Sequence, residues 1–119
     1  MCRLTLAQNL SAVTAACIMI RKSVWEEVDG LDEEFAVAFN DVDLCLRIRR
    51  AGHLIVWTPY AELYHYESKS RGTEDTPEKQ KRFAEEIRRF QDRWAAELAA
   101  GDPYYNLNLT LDREDFSLR

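Results

Sequence analysis

Four consecutive residues, Asn40-Asp41-Val42-Asp43, place two carboxylates in the first turn of what the spacing predicts to be a helix. Helix N-termini stabilise negative charge by roughly 0.3–1 kcal/mol, which keeps such carboxylates ionised at neutral pH. Positions i and i+2 stand about 200° apart around a helix, so the two cannot face one site equally. One is expected to reach into a cleft and the other to orient backbone or a neighbour, with Arg47, four residues beyond Asp43, the obvious partner. Two uses fit this spacing: plain capping by Asn and Asp, which is the commoner, and a carboxylate base held at a helix end.

His65 lies between Tyr64 and Tyr66, just before a polar stretch that contains Ser68, Lys69, Ser70, Arg71 and Gly72. An imidazole among aromatics is more often packed, with one hydrogen bond, than a ligand. Hydroxyls beside a guanidinium suit diphosphate oxygens, but from these residues alone a solvated loop is the stronger reading. Trp25, Phe83, Phe90 and Trp94 have apolar neighbours at helical spacing and read as core. Lys79, Lys81, Arg82, Arg88 and Arg89, interleaved with Glu85, Glu86 and Asp92, read as a solvated helix face.

The elements that would carry these residues follow from pattern. Ser11 to Ile20 is a continuous apolar run and predicts a strand covered on both faces. Arg21 to Val28 predicts a short helix with Val24, Trp25 and Val28 on one side, stopped by Gly30. Leu31 to Phe39 reads as a turn leading into a short extended piece. Asn40 is expected to cap a helix running to Ala51 and ended by Gly52. Leu54 to Trp57 predicts a second strand, stopped at Thr58-Pro59, and Glu62 to Tyr66 a third short extended stretch. Ser68 to Thr76 reads as a loop. Thr76-Pro77 then opens a long amphipathic helix over 77–100, with Phe83, Ile87, Phe90, Trp94 and Leu98 on one face. Residues 101–119 form a C-terminal tail.

Length and charge narrow the function. One domain at most fits in 119 residues. Sixteen Lys and Arg against twenty-one Asp and Glu give a net charge of −5, so no general basic surface invites nucleic acid. The run from Ala12 to Ile20 is about half a membrane span and predicts no transmembrane segment. Cys2, Cys17 and Cys45 form no disulfide or zinc pattern, and Cys17 and Cys45 are expected to be buried. A reducing, cytoplasmic setting is expected, peripheral at the inner membrane face. Neither a GxGxxG nor a phosphate-loop spacing occurs.

Taken in order, several segments resemble family 2 glycosyltransferases of the GT-A fold. Val13-Thr14-Ala15-Ala16-Cys17-Ile18-Met19-Ile20-Arg21 resembles the buried strand before the acceptor region. Val28-Asp29-Gly30-Leu31-Asp32-Glu33-Glu34-Phe35 is similar to a turn usually written with two glycines, Asp29 standing in place of the first. Asn40-Asp41-Val42-Asp43-Leu44-Cys45-Leu46-Arg47 resembles the signature helix start. Pro59, His65, Ser68, Ser70, Arg71 and Gly72 follow in the family's order. Asp102-Pro103-Tyr104-Tyr105-Asn106 with Asn108-Leu109 is similar to the end of members that build bacterial surface polysaccharides, rhamnosyltransferase-like ones included.

The resemblance implies an α/β fold: an incomplete GT-A domain spanning 1–119, a mixed sheet with flanking helices and the long C-terminal amphipathic helix, without the N-terminal nucleotide-binding half. It implies Asp41 as catalytic base, with Asn40, Asp43 and Arg47 supporting it on the acceptor side. It implies Ser68, Ser70 and Arg71 at the donor diphosphate, and His65 at a divalent metal, Mn or Mg, in the complete enzyme. The expected partners are a nucleotide-sugar donor and a glycan or lipid-linked acceptor, and the surface left open by the missing half is expected to favour self-association. The expected reaction is sugar transfer with inversion, the 119 residues alone being inactive. A non-catalytic glycan- or protein-interaction module that keeps a glycosyltransferase-like surface is the alternative.

Overall fold

The structure is a computed structural model that describes residues 5–36, 38–66, 76–106, 108, 109 and 112. Its elements are β1 (Gln8–Leu10), α1 (Lys22–Glu27), α2 (Asn40–Arg50), β2 (Ile55–Trp57), α3 (Pro77–Arg93) and α4 (Ala95–Ala100). β1 and β2 pair antiparallel, with Gln8 opposite Trp57 and Leu10 opposite Ile55. The sheet among the described residues is therefore two-stranded and antiparallel, where a mixed sheet was expected.

The apolar run 11–20 is not a strand. Only the residues just before it pair, and the run itself turns at 15–17. Side chains, rather than a ladder, take several of its backbone groups: Ala15 N–H donates to Asp41 Oδ2 and Ala16 N–H to Thr14 Oγ1. A strand covered on both faces needs neighbours that the described residues do not supply. Met19 is 98% exposed and Cys17 is also exposed, which corrects the expectation that both lie inside. Cys45 is buried as expected. Residues 62–66 form no strand either, and 33–36 are turns and bends.

α2 is the central element because it has apolar side chains on two opposite sides. Leu44, Cys45 and Ile48 pack with Val24 and Ile55, and Ala12, Val13, Ile18, Ile20 and Val28 close over them. Val42 and Leu46 face the other way, against a cluster of Phe35, Phe90 and Trp94 that Phe39 also joins. The helix thus forms a shared wall between two small cores. Burying each large side chain contributes on the order of 1.5–3 kcal/mol.

The ends of the helices follow the local chemistry. Gly30 ends α1 at φ +64°, as its sequence position predicts, and Asp29 before it is also left-handed at φ +61°. Both positions of the turn usually written with two glycines therefore use the conformation that glycine adopts most cheaply. Thr76 caps α3, its hydroxyl accepting from Lys79 N–H at 3.3 Å, with Pro77 at the first helical position. α2 differs from expectation at its start. Asn40 is its first residue, and Phe39, left-handed at φ +64°, is the cap. Phe39 holds this conformation because its ring stacks between Phe83 and Phe90, with centroids 5.9 and 5.1 Å away. The helix expected over 77–100 is two segments meeting at Trp94 (φ −108°, ψ 23°), although Trp94 N–H still reaches Phe90 O and Leu98 N–H reaches Trp94 O.

Candidate functional site

The Asn40–Asp43 turn divides its two carboxylates between different tasks. Asp43 is 0% exposed. Its Oδ2 accepts from Arg47 Nε at 2.8 Å, and its Oδ1 from Trp94 Nε1 at 2.8 Å and Arg93 Nη1 at 3.1 Å. Three charged or polar donors offset the cost of taking this carboxylate out of water. Arg47 also donates to Val28 O at 2.5 Å, which ties α2 to the end of α1. Arg93 donates to Asp32 Oδ2 at 2.5 Å and approaches Glu34 at 3.4 Å, with its guanidinium 5.0 Å from the centre of the Phe35 ring. The Glu34 backbone N–H first, and then Arg93, hold the Asp32 carboxyl below its usual range.

Asp41 is placed differently. It is partly exposed at the start of α2. Its Oδ1 accepts from Val42 N–H at 2.9 Å and its Oδ2 from Ala15 N–H at 3.2 Å. Backbone amides therefore hold the carboxylate without any of the cations engaged by Asp43, and Asn40 Oδ1 takes the Asp41 N–H at 2.8 Å. The Ala15 contact anchors the helix end to the apolar run.

Residues 13, 14, 16–21 and 53–58 border a cleft of about 700 Å³, with Ala61, Leu63, Tyr64 and His65 on its rim side. His65 is exposed and belongs to this wall. Asp41 does not line the cleft, but its Ala15 contact lies between two residues, Thr14 and Ala16, that do. Ser68, Ser70 and Arg71 lie outside the described residues. Among the described residues no group of three or more His, Cys, Asp or Glu side chains could hold a metal ion. The described residues around His65 thus do not make a metal centre by themselves. No helix among the described residues is long and apolar enough to cross a membrane.

Residues 1–95 match the family described as glycosyltransferase like family 2. The chain belongs to that family. An uncharacterized protein of Sinorhizobium fredii, y4gI, is 57% identical over 118 residues, 98% of this chain and 13% of that protein. The O-antigen biosynthesis protein RfbC of Myxococcus xanthus is 38% identical over 119 residues, 94% of this chain and 8% of its own length. An N-acetylglucosaminyl-diphospho-decaprenol L-rhamnosyltransferase of Mycobacterium tuberculosis is 37% identical over 60 residues, half of this chain and 20% of that protein. The chain therefore spans a fifth or less of the curated relatives it matches. No solved structure matches it.

The structure also brings to the family's helix start residues that the sequence reading placed elsewhere. Glu86, read as part of a solvated face, is 2% exposed and accepts from Ala38 N–H at 3.0 Å. Its signal was present: Glu86 is three residues after Phe83 and four before Phe90, on the apolar stripe of α3 rather than opposite it. Trp94 is core, as read, but its indole N–H is equally a ligand of Asp43. Nothing local to Arg93 marks it as the partner of Asp32, Glu34 and Asp43, since those contacts span 50 residues or more.

Proposed function

We propose that the protein is the acceptor-side part of an inverting glycosyltransferase of cell-surface polysaccharide synthesis. It would move a sugar from a nucleotide-sugar donor to a hydroxyl of a glycan or lipid-linked acceptor. The observation that carries this reading is the unequal treatment of the two carboxylates. Asp43 is engaged by Arg47, Arg93 and Trp94, whereas Asp41 is partly exposed and, among the described residues, held by backbone amides at a helix end. A base needs that combination of fixed position, access and negative charge. In this reading Asp41 takes the proton of the acceptor hydroxyl as its oxygen bonds to the anomeric carbon. The bond from that carbon to the donor diphosphate breaks with its electron pair on the diphosphate, and the configuration inverts.

Family membership supports the reaction class, and the names of the Myxococcus and Mycobacterium relatives support surface glycans. The GT-A architecture, a cytoplasmic site at the inner membrane face, and Ser68, Ser70 and Arg71 at the diphosphate belong to the same proposal. His65 would contribute one ligand to a divalent metal whose remaining ligands come from elsewhere in the enzyme. The 119 residues alone are expected to be inactive and to self-associate through the surface that the missing half would cover.

The test is Asp41→Asn in the full natural gene product. Turnover should fall about 100-fold or more, as for loss of a positioned base, with donor binding nearly intact. Unchanged turnover removes Asp41 from the reaction.

A further inference from the structure

α3 holds the chain on both sides of Asp41. Upstream, the Glu86 carboxylate accepts from Ala38 N–H at 3.0 Å, and Phe83 and Phe90 stack on Phe39. Downstream, Trp94 Nε1 donates to Asp43 Oδ1 at 2.8 Å, beside Arg93. The two contacts fall three residues before Asp41 and two residues after it. Between them the backbone makes its left-handed step at Phe39, and Phe39 O receives the Asp43 N–H at 2.8 Å. The angle at which Asp41 leaves α2 is thus set by α3, an element that begins more than thirty residues later.

Burying the Glu86 carboxylate at 2% exposure is a costly way to cover an apolar stripe, where a leucine would pack at no electrostatic cost. What the carboxylate offers that leucine lacks is polar contact, and among its contacts is a directional hold on the Ala38 backbone amide. The same holds for Trp94, whose packing a phenylalanine would largely reproduce and whose N–H it would not.

We propose that Glu86 and Trp94 are positioning residues that fix Asp41 for proton transfer by holding the chain on either side of it. The inference rests on Asp41 being the base. Misplacing a reacting group by a fraction of an ångström to an ångström costs about 10–100-fold in turnover.

The experiment uses Glu86→Gln, Glu86→Leu and Trp94→Phe in the full natural gene product, with kcat and donor KM measured separately and amide hydrogen exchange followed across residues 38–43. Glutamine keeps an acceptor oxygen for Ala38 N–H and should stay within about 2-fold of the parent. Glu86→Leu and Trp94→Phe should lose about 10–100-fold in kcat at unchanged donor KM, with faster exchange at 38–43. Parental kcat in both, whatever happens to folding stability, would show purely structural roles and overturn the proposal. If Trp94→Phe does not fold, the Glu86 pair decides: leucine and glutamine behaving alike overturns it. Asp41→Asn with full turnover would remove the base and this proposal together. Asp41→Asn inactive beside active Glu86→Leu and Trp94→Phe would remove this proposal alone.

Discussion

Asp43→Asn offers the sharpest physical test of the divided carboxylates. The substitution keeps volume and one acceptor oxygen, but removes the negative charge that Arg47 and Arg93 share and turns an amide N–H₂ toward a guanidinium. Removing one partner of a fully buried ion pair costs about 3–5 kcal/mol. Here the cations retain side-chain exposures of 21% and 30%, and Arg93 keeps Asp32 and Glu34. Screening and these remaining partners reduce the expected loss to about 2–4 kcal/mol. Asp41→Asn, at a partly exposed position with backbone donors that an amide oxygen can still serve, should cost less than about 1 kcal/mol. Urea unfolding followed by tryptophan emission and near-ultraviolet circular dichroism would read the difference. With slopes of about 1–3 kcal/mol per molar for small proteins, Asp43→Asn should lower the midpoint by about 0.7 M or more. Equal midpoints for Asp43→Asn and the parent, or equal losses for the two variants, would refute the division of labour.

The turn after α1 gives a paired expectation. Asp29→Gly should stabilise by about 0.5 kcal/mol, because relief of the left-handed penalty exceeds the added entropy of the unfolded chain. Gly30→Ala should destabilise by about 1–2 kcal/mol, since its Cβ would lie 2.8 Å from Trp25 Cζ2 in a left-handed residue; urea midpoints of the two variants check both signs. Asp32 governs an acid limb. Its folded carboxyl titrates below its unfolded value of about 3.9, so its contribution is complete above that value and is lost as pH falls through the lower folded one. Asp32→Asn should therefore flatten the pH dependence of stability in that acid window and leave its shape near neutrality unchanged.

What was legible in the sequence was mostly local. Thr76-Pro77 announces α3, Gly30 and Gly52 end their helices at positive φ, and β2 lies within the run that predicts it. The Asp43–Arg47 contact follows from four-residue spacing alone. What failed depends on partners distant in sequence. The run 11–20 has the composition of a buried strand, but composition does not say whether neighbouring strands stand beside it. Asn40 has the chemistry of a cap, yet packing of Phe39 between two rings of α3 moves the boundary by one residue. Glu86 looked solvated because its charge outweighed its position on the stripe. The site residues divide the same way. Asp41 and Asp43 were found by motif, and which of them stays accessible is decided by Arg93 and Trp94, 50 and 51 residues beyond Asp43.

The burial of Trp94 gives the protein an internal optical gauge. Trp25 and Trp57 are partly in contact with solvent, whereas Trp94 is enclosed, hydrogen-bonded to a carboxylate and covered by the Arg50 guanidinium 4.2 Å from its ring centre. External quenchers should silence the first two and spare the third. The light that survives then comes from the joint between α2 and α3, two residues along the chain from the proposed base. Within this chain, a shift of that joint would be seen without any label.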